Sequence, residues 1–159
     1  LLVSVNDPER RAILAYFLER FGIPLEAFKG VRLLRRAGTI WAVAEAPGLD
    51  EALERLKVQT AGIPLLRVKS PKWKPTTFGL QIFGRYARKN IVDLRDGEVG
   101  PFLRGETIRR PLPAESGYVI VRWQGHLLGC GLYSQKGGLR SQIPSNARAP
   151  LKVTVGEDG

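Results

Sequence analysis

The residues with the clearest chemistry are cations set among glycines. Lys136, Arg140 and Arg148 fall in a stretch with Gly137, Gly138 and Pro144 and almost no large apolar side chain, and Lys152 follows just beyond. Lysine and arginine in that company are ligands for phosphate, because they supply charge while glycine lets an anion reach the backbone N–H groups. A mobile loop is the plainer reading of Gly137 and Gly138. A second cluster, Ser70 to Pro75, sets Trp73 between Lys72 and Lys74. An indole there stacks on a base while the lysines hold phosphates; the favoured alternative wedges Trp73 between two domains. Arg88 and Lys89 close a helical stretch, where cations complement the negative helix C-terminus and also suit nucleic acid.

Groups for covalent chemistry are scarce. His126 is the one histidine and falls in a hairpin turn, the place of a surface residue rather than a general base. Cys130 lies between Gly129 and Gly131 on an apolar run, which suits a small buried filler better than a nucleophile. One Cys and one His do not make a zinc site, and neither a dinucleotide fingerprint nor a phosphate loop is present. Glu45, Asp50, Glu51 and Glu54 surround a helix start and read as capping and solvation. The expectation is a binding protein without catalysis, cofactor or metal.

Charge points the same way. The 159 residues hold 25 Lys and Arg against 15 Asp and Glu, a net +10, and the pI is near 10.3. A surface of that sign attracts phosphate polyanions and gains affinity by releasing their counterions. A lone cysteine and no basic-apolar leader predict a cytoplasmic protein, and no apolar run approaches the length of a membrane span. Zero Met in a chain starting at Leu1 predicts a start other than the native one, or dropped residues. Few Asn, Gln and Cys beside many Arg and Glu suggest a thermophilic source.

The elements that position these residues follow from period and punctuation. Asn6 or Asp7 caps a helix with Ile13, Leu14, Phe17, Leu18 and Phe21 on its apolar face and Arg10, Arg11, Glu19 and Arg20 opposite; Gly22 ends it. Residues from Val31 turn at Gly38 into Thr39 to Ala44 as a hairpin. A helix from Glu51 to about Gln59 turns Leu53 and Leu56 inward and stops near Gly62, and Pro64 to Val68 is a strand. After the Ser70–Pro75 linker, Thr76 or Thr77 caps a helix to about Ala87 that buries Phe78, Ile82, Phe83 and Tyr86. Its Gly79 and Gly84 cost helix stability, which predicts close approach of another backbone. Then come strand Asn90–Leu94, a capped turn or helix Asp96–Leu103, strand Glu106–Arg109, a hairpin Tyr118–Trp123 and Leu127–Tyr133 turning at Gln124-Gly125, and a last strand Leu151–Val155. The fold class is α+β: a mixed unit over 1–75, then a small, partly closed β-barrel with a leading helix over 76–159.

The pieces KNIVDL, EVGPFLRGETIRR, GYVIVRW and HLLGCGLY, in that order from Lys89 to Tyr133, resemble the PUA domain of pseudouridine synthases and archaeosine transglycosylases. With TIWAVAE, IPLLRV and KPTTFGLQIFGRYA ahead of them, most of the chain is similar to the Nip-seven family of ribosome-assembly proteins. The tail KGGLRSQIPSNAR instead resembles the PUA segment of RNA cytosine-5 methyltransferases. These resemblances imply RNA binding without chemistry, with Gly105 beside Arg104 as the RNA-contact glycine and Lys136, Arg140, Arg148 and Lys152 as the basic face. The partner expected is rRNA or tRNA, with ribosome-assembly proteins as further partners of a monomer. Two alternatives stand beside this: a protein-interaction adaptor, and the RNA-targeting module of an RNA-modifying enzyme.

Overall fold

A computed structural model describes residues 1–55, 62–69 and 71–145. The chain packs into two units, Leu1–Ala87 and a second from Arg88 onward.

The first unit is a five-stranded antiparallel sheet with helices packed on it. Its strands are β1 (Val3–Ser4), β2 (Val31–Arg36), β3 (Thr39–Ala44), β4 (Ile63–Arg67) and β5 (Lys74–Pro75), neighbours in chain order. Helix α1 (Asp7–Phe21) begins where the Asn6 carboxamide oxygen accepts the Glu9 N–H at 2.8 Å, and it ends at Gly22 with φ 65°. Ile13, Phe17 and Phe21 are buried, whereas Leu18, expected inside, is 43% exposed. Arg10, expected on the solvent side, donates to the Val31 and Phe28 carbonyl oxygens at 2.8 and 3.0 Å. It is a structural residue that ties the helix to β2 and the preceding 3-10 turn.

Helix α2 (Leu49–Arg55) starts two residues before the expected Glu51; the expected continuation to Gln59, with Leu56, lies outside the described residues. Helix α3 (Thr77–Phe83) is capped by Thr76, whose hydroxyl accepts the Gly79 N–H at 2.9 Å. It packs against β4, so the segment assigned to the second domain belongs to the first unit. The predicted close approach occurs at Gly79, where a methyl would lie 2.9 Å from the Leu65 side chain and 3.0 Å from its carbonyl oxygen. The buried residues are Thr77, Gly79, Leu80 and Phe83, while Ile82 and Tyr86 are exposed. Packing through Thr77, Leu80 and Phe83 at three-residue steps turns Ile82 outward, and the tightening to a 3-10 turn from Gly84 moves Tyr86 off the face. Trp73 packs on Tyr16 of α1, 5.8 Å between ring centroids, a contact inside the first unit.

The second unit has the four-stranded order β6-β7-β8-β9, with β6 (Ile91–Asp93), β7 (Gly117–Trp123), β8 (His126–Ser134) and β9 (Gly138–Ser141). β6 runs parallel to β7, and α4 (Asp96–Leu103) lies in the crossover between them. β7 and β8 form the expected hairpin; Gln124 and Gly125 both have positive φ, the geometry that matches strand twist. Val92, Val99, Phe102, Leu103, Val119, Val121, Tyr133 and Leu139 are buried in one core. Gly131 exists for that core, since a methyl there would lie 2.7 Å from Leu139 and 2.8 Å from Val121. Cys130 is fully buried opposite Ile120, as a filler.

Two expectations change here. Among the described residues the sheet is open rather than a partly closed barrel: the predicted strand Glu106–Arg109 contributes a single bridge, Ile108 to Leu139, because Pro111 and Pro113 cannot donate to a longer ladder. The predicted closing strand Leu151–Val155 lies outside the described residues. The supposed basic loop after Tyr133 is instead ordered over Gly138–Ser141 as β9, paired with β8.

Candidate nucleic-acid interface

The basic residues near the C-terminal end are positioned by the β8–β9 turn. Ser134 faces Gly138 across it, and the Ser134 hydroxyl accepts the Gly137 N–H at 2.8 Å. That N–H is occupied within the turn, so Gly137 serves geometry rather than anion capture. Lys136 sits exposed at the tip. Leu139 points into the core opposite Tyr133, so Arg140 faces outward.

The bridge at Ile108 brings a residue that sequence reasoning left out. Ile108 and Leu139 exchange backbone hydrogen bonds of 2.9 Å in both directions, which sets Arg109 beside Gly138 on the outward face. A methyl at Gly138 would meet the Ile108 carbonyl oxygen at 2.7 Å and the Arg109 Cγ at 3.5 Å. With φ 73°, Gly138 is the one place in this turn where glycine is demanded on both counts. Arg109, Lys136 and Arg140 thus gather on one edge, and none of them forms an ion pair among the described residues.

Beside this edge is a cleft of about 370 Å³, lined by Arg109, Arg110, Pro111, Leu112, Gln135 and Lys136, with Tyr133 and Gly138. Its two arginines differ. Arg110 donates from Nε and Nη2 to the Glu98 carboxylate at 2.7 and 2.9 Å, and from Nη2 to the Asp93 carbonyl oxygen at 3.2 Å. Those bonds hold the Glu98 carboxyl below the usual glutamate range and raise Arg110. Arg110 is a strut and Arg109 is the open charge. The floor is also fixed: the Tyr133 hydroxyl accepts the Leu112 N–H at 3.2 Å. What the arrangement can do is bind a phosphate at the rim and an apolar or planar group against the floor.

The other predicted residues are scattered. Gly105 has φ 88° and closes α4, its N–H donating to Phe102 at 3.0 Å, while Arg104 beside it is paired to Glu106 at 2.7 Å. Arg88 and Lys89 are exposed at the entry to β6, the far edge of the sheet from β9. There the Asn90 side chain holds Glu115 by a pair of hydrogen bonds. Lys72, Trp73 and Lys74 lie in the first unit, and Arg148 and Lys152 lie outside the described residues. His126 is exposed at the start of β8 with its ring 6.2 Å from Trp123. No cluster of three metal-ligating side chains occurs among the described residues, and no described helix is long and apolar enough to cross a membrane. Only the pairing of distant segments revealed Arg109; its sequence signal was the Arg-Arg-Pro ending a strand opposite a glycine turn.

Comparison with known proteins bears on the second unit most directly. Residues 89–149 match the family model described as the methyltransferase RsmF PUA domain. This agrees with the likeness of the tail to methyltransferase PUA segments and extends it across the unit. No curated protein matches the chain. Among solved structures, a conserved PUA domain protein from Thermoplasma acidophilum aligns with 96% of this chain and 87% of its own at a TM-score of 0.54 and 14% identity, a likeness of fold.

Proposed function

We propose, on the premise that residues 89–149 form a methyltransferase-type PUA domain, a kind of RNA-binding module, that this chain is a cytoplasmic protein that docks on structured rRNA or tRNA and performs no chemistry itself. The observation that carries the reading is the edge where Arg109, Lys136 and Arg140 stand together beside a cleft with no ion pair among the described residues. Phosphates would be held by those cations, and Gly138 would keep the Ile108 segment, and with it Arg109, against the turn. Ribosome assembly and RNA modification are the settings that fit such docking. The match to a methyltransferase family favours a second form of the same reading, in which the chain targets an RNA-modifying activity to its substrate.

The test is a titration of a structured RNA, such as a tRNA transcript, with the full chain and with an Arg109→Ala, Lys136→Ala, Arg140→Ala variant over a range of salt. The parent's affinity should fall steeply with salt, and the variant's slope should be shallower by about 2 to 3 for three lost phosphate contacts. A parent that binds RNA independently of salt, or a folded variant that binds as the parent does, would sink the proposal.

A further inference from the structure

From Arg55 through Val92, Arg55 included, the sequence contains nine lysines and arginines and not one carboxylate. Strand pairing gathers part of that excess at one end of the N-terminal sheet. Arg36 stands opposite Thr39, Thr39 opposite Arg67, and Arg67 opposite Lys74. Directly opposed residues on antiparallel strands present their side chains on the same face. The Arg67 Nη1 donates to the Thr39 hydroxyl at 3.1 Å on that face. Four strands spread this row over about 14 Å.

Lys69 joins the row at the β2–β3 hairpin tip. The Val68 N–H donates to the Gly38 carbonyl oxygen at 2.8 Å, and a methyl at Gly38 would lie 2.5 Å from the Lys69 Cβ. The bare backbone of Gly38 is what lets the Lys69 stem lie against the tip. Arg36, Arg67 and Lys69 are exposed, and neither Arg67 nor Lys69 forms an ion pair among the described residues. Trp73, the residue before β5, is anchored on Tyr16, while Lys74 takes its place in the row by pairing with Arg67. Two cations directly opposed, as Arg67 and Lys74 are, weaken a sheet in isolation. A bound polyanion reverses the sign of that interaction.

We infer that this rim is a second phosphate-binding surface, on which Arg36, Arg67, Lys69 and Lys74 engage successive phosphates of an RNA strand. The row and its charge stand on their own; the choice of RNA as the polyanion rests on the function proposed above. The N-terminal unit is then an RNA-contacting module in its own right. Two such modules on one chain raise affinity by making the second contact intramolecular. The Lys72, Trp73 and Lys74 cluster is thereby divided: the indole is structural, and Lys74 belongs to the rim.

The experiment compares, in the full chain, a rim variant (Arg36→Gln, Arg67→Gln, Lys69→Gln, Lys74→Gln), a conservative variant (Arg36→Lys, Arg67→Lys) and the Arg109, Lys136, Arg140 alanine variant. Each is titrated with a tRNA transcript and with vesicles of phosphatidylserine and phosphatidylcholine, and thermal midpoints check folding. The rim variant should lose roughly tenfold or more in RNA affinity, with a salt slope shallower by about 3, while the conservative variant binds as the parent does. A rim variant indistinguishable from the parent, beside a C-terminal variant that fails, overturns this inference and leaves the proposed function standing. The reverse pattern overturns the proposed function and keeps the rim. Loss of vesicle binding without loss of RNA binding, or loss in the conservative variant, also overturns it. Should the fourfold variant unfold, Arg67→Gln alone, whose amide can still donate to Thr39, carries the same comparison.

Discussion

Arg109 lies beside Gly138, so close that a single methyl on the glycine would touch the arginine Cγ at 3.5 Å and crowd the Ile108 carbonyl oxygen and the Thr107 Cγ2 at 2.7 and 2.8 Å. The edge that carries the cations is therefore built around an atom that is absent. Alanine at position 138 must adopt a left-handed backbone and displace Ile108, so Gly138→Ala should cost roughly 2–5 kcal/mol. Gly125 has a similar φ of 79° with open space around it. Gly125→Ala should cost roughly 1–2 kcal/mol, the backbone part alone. Urea unfolding of the two variants measures the difference, and equal losses would contradict the crowding at Gly138.

Glu98 and Arg110 make stability depend on acid. The Arg110 hydrogen bonds lower the Glu98 carboxyl below its ordinary value of 4.5, with the Arg95 backbone N–H adding to the effect. A carboxyl whose folded value is depressed stabilises the fold above its unfolded value and loses that contribution as pH falls through the folded one. Asp93, lowered by the Arg122 bonds, acts in the same direction. Stability should decline below about pH 4.5, and Glu98→Gln should flatten that decline while costing roughly 1–3 kcal/mol at neutral pH. Denaturant midpoints between pH 3 and 7 test it; a parallel decline in the variant would assign the acid limb to other groups.

Arg104 and Arg109 separate two ways of being basic. Arg104 is paired with Glu106 on the surface, so Arg104→Ala should change RNA affinity by no more than about twofold. Arg109→Ala should cost roughly fivefold or more, because Arg109 forms no ion pair among the described residues. Direct titration of both variants decides, and a larger loss at Arg104 would restore the helix-end glycine segment as the main contact.

Arg10 provides the opposite control. It bonds two backbone carbonyls in the first unit, so Arg10→Ala should destabilise by roughly 1–3 kcal/mol and leave RNA affinity unchanged once folding is complete. Thermal unfolding and an RNA titration read the two effects separately.

Local rules carried much of the fold. The Asn6 and Gly22 caps, both hairpins, the α4 segment and the tight contact at Gly79 were visible because each depends on a few neighbouring residues. What escaped depends on residues distant in sequence. The inward face of α3 is set by β4, the partner of Trp73 is Tyr16, and Arg109 becomes a site residue only through Ile108 meeting Leu139. Charge counts likewise suggested many candidates without distinguishing Arg109 from Arg110. That distinction comes from Glu98, one turn into a helix twelve residues away.

The parallel pairing of β6 with β7 also has a meaning in time. Asp93 meets Arg122 across 29 residues of chain, whereas β7, β8 and β9 follow one another through short turns. Loop closure favours the local meander first, with β6 and α4 docking onto it later. The turn bearing Lys136 and Arg140 would then be shaped before the strand that begins the unit is in place, so the order of folding runs opposite to the order of synthesis.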